Sequence, residues 1–283
     1  MENSANILGW SIGALGGTRM AGSLLVVFLL TMIIHTAETL SYSVRYAGVR
    51  LNKIAIALSL TGIIVLVSRT ANLIQAPLTA KFVDVARNDS SFHLENYLRI
   101  ILLGGSLGTL IAIGLFPTFI GLFERIISKL EIQGSIPKLL ASVTIGQLKN
   151  TRKYVRRPKI RLYYFRYLDV PKRLIVMNIF VTAFYTVGVM SSLYAAHLVP
   201  QYSTTASQAS GIINGMATIL LTIFIDPQLG LITDKATASA EHRSRLGKVY
   251  VLLMCSRFLG TLLGQLVLDP AAHLISMVVR LMV

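Results

Sequence analysis

Six apolar runs of about twenty residues recur along this chain, separated by polar links that are short except for the one between the third and fourth runs. They occupy approximately 21–44, 54–78, 98–119, 174–197, 209–232 and 249–268. At 1.5 Å of rise per residue, about twenty apolar residues cross the ~30 Å hydrocarbon core of a bilayer. The pattern therefore predicts an all-α membrane protein, a polytopic bundle of about six transmembrane helices. Residues 1–283 are read as a single integral membrane domain. With 54% hydrophobic and only 14% charged residues, too little polar surface remains to cover six such helices in water.

Charge adds an orientation to this pattern. Between Lys138 and Arg173 stand eleven Lys or Arg residues against one acid, Asp169, so this stretch carries +10 of the formal +15. The links after the first span (Arg45, Arg50, Lys53) and after the fifth (Lys235, Arg243, Arg245, Lys248) are also basic. The links around 79–96 and 198–208 are near neutral or uncharged. Basic residues flanking spans stay in the cytoplasm, which puts 120–173 inside and both termini outside. Three spans, a basic cytoplasmic segment and three more spans give two halves running in opposite directions, as in inverted-repeat transporters. Residues 1–19 lack a basic n-region and a small-residue cleavage site, so the first span is expected to serve as the insertion signal. A pI near 10.2 raises nucleic acid as a partner, but the basic residues track span ends, and anionic headgroups account for them.

The basic segment has its own grain. Residues 138–149 (KLLASVTIGQLK) suit a helix lying in the headgroup plane. Arg152, Lys153, Arg156 and Arg157 follow, then Tyr163, Tyr164, Phe165 and Tyr167 among Arg161 and Arg166. Aromatic and basic residues at a span entrance anchor it at the interface; the six arginines and lysines are also candidates for docking a polyanionic lipid headgroup. Glycine pairs of the GxxxG type (Gly104/Gly108, Gly211/Gly215, Gly260/Gly264) are expected to pack helices closely. The Gln75-Ala76-Pro77 and Asp226-Pro227 elements are expected to end their spans, and Ala271 onward to form a short surface helix.

Ionisable groups inside spans each cost about 2.5–3.5 kcal/mol on insertion scales, and so need a partner or a wet cavity. They are His35 and Glu38 in the first span, Arg69 with Asn72 and Gln75 in the second, Asp226 in the fifth and Arg257 in the sixth. Counted from the expected span ends, Glu38, Asp226 and Arg257 share one layer about 9–14 Å deep, and Arg69 lies about 22 Å in. Two readings follow: a structural ion pair of Arg257 with Glu38 or Asp226, or a polar path (Glu38, Arg69, Asn72, Gln75, Asp226, Arg257) for a substrate with a charged head and an apolar tail. Arginine suits a phosphate through its planar fork. No catalytic motif is present, and His35 with Glu38 is too small a set for zinc. The lone Cys255 permits no intrachain disulfide. No metal, cofactor or catalytic residue is expected.

The stretches 35–50 (HTAETLSYSVRYAGVR), 56–77 (IALSLTGIIVLVSRTANLIQAP), 167–196 and 210–234 resemble the Amj family of bacterial lipid II flippases. The resemblance covers all six spans and is weakest over 1–20 and 120–165. It implies transport of the undecaprenyl-pyrophosphate-linked peptidoglycan precursor from the inner to the outer leaflet of the bacterial cytoplasmic membrane. The implied partners are that lipid and the membrane, with a homo-oligomer or cell-wall synthesis proteins left open. A membrane enzyme or a scaffold subunit acting on the same lipids is the rival expectation.

Overall fold

The computed structural model describes residues 3–135, 138 and 170–282, with side chains from Met20 onward. The docking candidates Arg152, Lys153, Arg156, Arg157, Arg161 and Arg166, and most of the 138–149 interfacial stretch, lie outside the described residues. The described chain is helical throughout. α1 (Asn3–Leu51), α2 (Ile54–Asn88), α3 (Leu94–Gln133) and α4 (Lys172–Leu198) are followed by a 3₁₀ turn (Pro200–Tyr202), α5 (Ser203–Gln208) and α6 (Ser210–Leu220). A π turn (Leu221–Ile225), α7 (Asp226–Ala238) and α8 (Ala240–Met282) complete the chain. Six units are long and apolar enough to cross a membrane, the fifth of them the broken stretch Pro200–Ala238.

The connections are tight for stated reasons. α1 reverses into α2 through Asn52 at φ 56°, with the Lys53 amide bonding back to Gly48 O at 2.8 Å. Asparagine tolerates this left-handed conformation. α3 ends on Gly134 at φ 70°, whose amide bonds to Leu130 O at 2.8 Å, the usual glycine stop. Arg50 pairs with Glu124 at 3.0 Å and Lys53 with Glu131, tying the α1–α2 turn to α3.

Two helices run through a proline and further than the apolar pattern predicts. Pro77 does not end α2, which continues to Asn88 with Phe82, Val83 and Ala86 buried. A proline costs one backbone hydrogen bond, a loss that transmembrane helices absorb; tertiary burial beyond it outweighs that loss. For the same reason residues from Ala271 onward form no separate surface helix: α8 passes through Pro270 to Met282, with Ala272, Ile275 and Val279 fully buried. At Pro227 the chain does adjust. The proline ring cannot sit against the carbonyl four residues earlier, and the wide π turn before it inserts a residue into the register.

The two halves pack by the same device. The most extensive pairings are α1 with α3 and α8 with α4. In the first, Gly104 and Gly108 of α3 ride on the Phe28 and Met32 carbonyls of α1; a Cβ at Gly104 would lie 2.6 Å from Phe28 O. Thr36 Oγ1 donates to Gly108 O at 3.0 Å across that seam. In the second, Gly260 and Gly264 of α8 ride on α4 at Ile179 and Thr186, and a Cβ at Gly260 would lie 2.6 Å from Ile179 O. The third glycine pair differs: nothing lies within 4 Å of a Cβ at Gly211 or Gly215. Those two glycines are spaced for packing but their face meets no neighbour.

Apolar packing is split along the bundle. One cluster (Val27, Leu98, Val199, Ile275 and neighbours) fills the end bearing the α2–α3 link. Another (Leu40, Leu174, Leu246, Tyr250 and neighbours) fills the end bearing the α1–α2 and α7–α8 turns. Between them, on α1 from Val27 to Leu40 and on α8 from Met254 to Leu268, lies a polar layer.

Candidate functional site

The polar layer begins with helical spacing. Thr31, His35 and Glu38 of α1 fall four and three residues apart and share one face, as do Ser68, Asn72 and Gln75 of α2. The faces are joined where Gln75 Nε2 donates to Thr31 Oγ1 at 2.6 Å and Ser68 Oγ donates to Glu38 Oε1 at 2.8 Å. The other carboxylate oxygen, Glu38 Oε2, accepts from Arg257 Nη2 of α8 at 3.0 Å. Both oxygens of Glu38 are thus held, by helices from opposite halves of the chain. The two side chains are 31% and 17% exposed, so the pair is largely withdrawn from solvent. Asn178 of α4 steadies the arginine's helix, donating to Leu253 O at 3.0 Å and to Ser256 Oγ at 2.7 Å.

A cavity of about 150 Å³ lies over this pair. Its first-half wall is His35, Glu38, Ser68, Arg69, Asn72 and Gln75; its second-half wall includes Tyr185, Thr186, Asn214 and Thr218. Tyr185 and Thr218 share a hydrogen bond of 2.7 Å. Two glycines make room: the His35 ring lies against Gly105, and the Asn214 amide lies over Gly188, where a Cβ would collide with it. His35 Nδ1, Asn214 Oδ1 and Arg257 Nε are buried without a hydrogen-bond partner among the described residues. Buried polar atoms are ordinarily satisfied, and His35 and Asn214 line the cavity, so it retains hydrogen-bonding capacity for water.

The structure brings together five of the six path candidates and moves one away. Glu38, Asn72, Gln75 and Arg69 line the cavity, with Arg257 paired beneath it. Arg69 is not in a separate outer layer, because α1 runs on to Leu51. Glu38 is thirteen residues from that end, about 20 Å, and Ser68 is fourteen from Ile54, about 21 Å. Arg257, seventeen residues from Ala240, is about 26 Å in. Both helices extend past their apolar runs, α1 on to Leu51 and α8 back to Ala240, so Glu38 and Arg257 lie further from their helix ends than the runs alone indicate. Asp226 does not join this layer. Past the π turn it is exposed and lines a separate cavity with Arg45, Thr233, Asp234 and Tyr250. Of the two candidate partners for Arg257, Glu38 alone pairs with it among the described residues. Ser68, Tyr185 and Asn214 are cavity residues that charge alone does not flag. The signal available for them was polar side chains recurring at helical spacing inside apolar spans.

This fold and site define a class: a polytopic helical membrane protein with an ion pair joining its two halves about midway along the helices. The chain belongs to the Amj family, described as Alternate to MurJ, whose profile matches residues 30–279. It is 39% identical over 255 residues to the lipid II flippase Amj of Bacillus subtilis (strain 168), covering 89% of this chain and 95% of that protein. No solved structure matches the chain.

Proposed function

We propose that this protein is a lipid II flippase, moving the undecaprenyl-pyrophosphate-linked peptidoglycan precursor from the inner to the outer leaflet of the bacterial cytoplasmic membrane. The observation that carries the reading is the Glu38–Arg257 pair, which bridges the two halves beneath a polar cavity at mid-depth. Family membership supplies the substrate class. A lipid-linked sugar diphosphate has a dianion and a long apolar tail. Arg69, exposed at the rim of the cavity, offers a planar cationic fork for the dianion, while exposed Leu66, Leu73 and Ile219 on the adjoining helices keep the tail in lipid. A cavity of about 150 Å³ holds a phosphate-sized group and not a disaccharide. Passage of the sugars therefore requires the halves to separate around the pair, and equivalent glycine seams within each half let it move as a unit. The end bearing the α1–α2 and α7–α8 turns is cytoplasmic in this reading and both termini are external, because Arg45, Arg50, Lys53, Lys172, Arg173 and Lys235 gather at that end.

The test is headgroup accessibility. In proteoliposomes containing this protein alone, labelled lipid II placed in one leaflet should become accessible in the other without chemical change. Chemically altered lipid would make the protein an enzyme, and neither change would make it a scaffold.

A further inference from the structure

Between α7, α8 and the head of α4 lies a cavity of about 310 Å³, on the far side of α7 from the Asp226 cavity. Its polar wall is cationic or neutral: Lys235 of α7, His242 and Arg245 of α8, and Gln228, with no acid among its lining residues. Its remaining wall is apolar, formed by Val170, Pro171, Leu231, Ile232 and Val249. His242 and Arg245 are three residues apart and share one face of the helix. Ser239 sets the imidazole in place: its hydroxyl lies 2.7 Å from His242 Nδ1 and also accepts the His242 amide at 3.2 Å, which leaves Nε2 for a ligand. Lys235 has no ion-pair or hydrogen-bond partner among the described residues, and Gln228 Oε1 is buried without one. Leu231, 64% exposed, opens the cavity toward the apolar surface of the bundle.

Cations grouped beside an apolar wall at the end of a membrane span fit one ligand chemistry, an anionic phosphate attached to a hydrocarbon chain. Free pyrophosphate would engage the cations and leave the apolar wall unused. We infer that this cavity is a loading site for the diphosphate of a polyprenyl-linked lipid in the leaflet at the basic end, occupied before the lipid reaches the Glu38–Arg257 layer. The inference rests on the flippase reading. In this arrangement Lys235 and Arg245 hold the diphosphate oxygens, His242 Nε2–H adds a third donor, and the first isoprene units lie along Leu231 and Ile232. Gln228 Oε1 can accept from a sugar hydroxyl or N-acetyl N–H.

The test is equilibrium binding to the full chain in nanodiscs, with undecaprenyl diphosphate, undecaprenol and inorganic pyrophosphate as separate probes. The K235Q/R245Q double variant should bind undecaprenyl diphosphate about tenfold or more weakly, the loss expected for hydrogen bonds to charged groups. Arg87→Gln, an exposed cation at the other end, should bind as the unaltered protein does. H242Q is the milder second variant, with about a threefold loss expected from one neutral donor. In flipping assays the double variant should need more substrate for half-maximal rate and reach a near-normal maximum. Unchanged binding in both the double variant and H242Q would overturn the inference, as would equal loss for Arg87→Gln. Inorganic pyrophosphate binding as tightly as the lipid would also overturn it, assigning the cavity to free phosphates. These failures are separable from failure of the flippase reading, in which the unaltered protein would not move lipid II at all.

Discussion

Glu38 and Arg257 are 219 residues apart in the chain and 3.0 Å apart in the fold, joining the first membrane helix to the last. Each is costly to hold in an apolar bundle alone. Together, with Ser68 on the second carboxylate oxygen, they form the contact across which the two halves meet. Two charges desolvated together stabilise little, whereas one left alone destabilises strongly.

Removal of either partner should therefore be worse than removal of both. Arg257→Ala should lower stability by about 3 kcal/mol, the low end for a buried pair because Glu38 retains some exposure. The E38Q/R257Q double variant should recover most of that loss. Thermal melts in detergent read the stability; lipid II flipping should stay low in the double variant if the pair takes part in transport. Full recovery of flipping would reduce it to a structural ion pair.

Arg69 should separate transport from folding. It is exposed and no ion pair forms around it among the described residues, so Arg69→Ala should leave the melting temperature within a degree or two. Flipping should fall about tenfold, and Arg69→Lys should recover little, because lysine lacks the bidentate fork.

Ser68→Ala is expected to act through Glu38. The hydroxyl makes a hydrogen bond to a carboxylate, worth about 1.5–3 kcal/mol where it is buried. A measurable fall in melting temperature should result, and Ser68→Thr should restore it. No change on Ser68→Ala would mean that Arg257 alone holds the carboxylate.

Glycines with the same spacing should respond differently. Gly104→Ala and Gly260→Ala press a methyl group against the carbonyls of Phe28 and Ile179, which are backbone and cannot swing aside. A cost of about 1–3 kcal/mol is expected for each. Gly211→Ala and Gly215→Ala meet open space and should be neutral or slightly stabilising, since alanine favours helix. Folded yield after solubilisation is the measurement.

Topology is checked with single cysteines in a Cys255→Ser background. Cysteine at Thr204, exposed near the uncharged link, should react with impermeant maleimide on intact cells. Cysteine at Ser244, exposed on the basic turn into α8, should react only after permeabilisation. The reverse pattern would invert the bundle and remove the orientation proposed from charge.

By itself the amino-acid sequence determined the number of membrane helices and the grouping of charge at one end, because both follow from one-dimensional quantities: the length of apolar runs and where Lys and Arg interrupt them. It also marked Glu38 and Arg257 as charges that need partners, since an unpaired charge in an apolar span is costly wherever that span packs. What the tertiary structure decided is which groups meet. Asp226 and Glu38 were equivalent as partners for Arg257 until the π turn ahead of Pro227 turned Asp226 toward Arg45 and Tyr250. Gly104, Gly211 and Gly260 carry the same GxxxG spacing, yet only the first and last lie on a neighbour's backbone. Arg69 joined the Glu38 layer because α1 continues to Leu51, past the point where its apolar run ends. Helix length beyond the apolar run, register after a proline and choice of neighbour all depend on contacts between segments distant in sequence, and no local pattern encodes those.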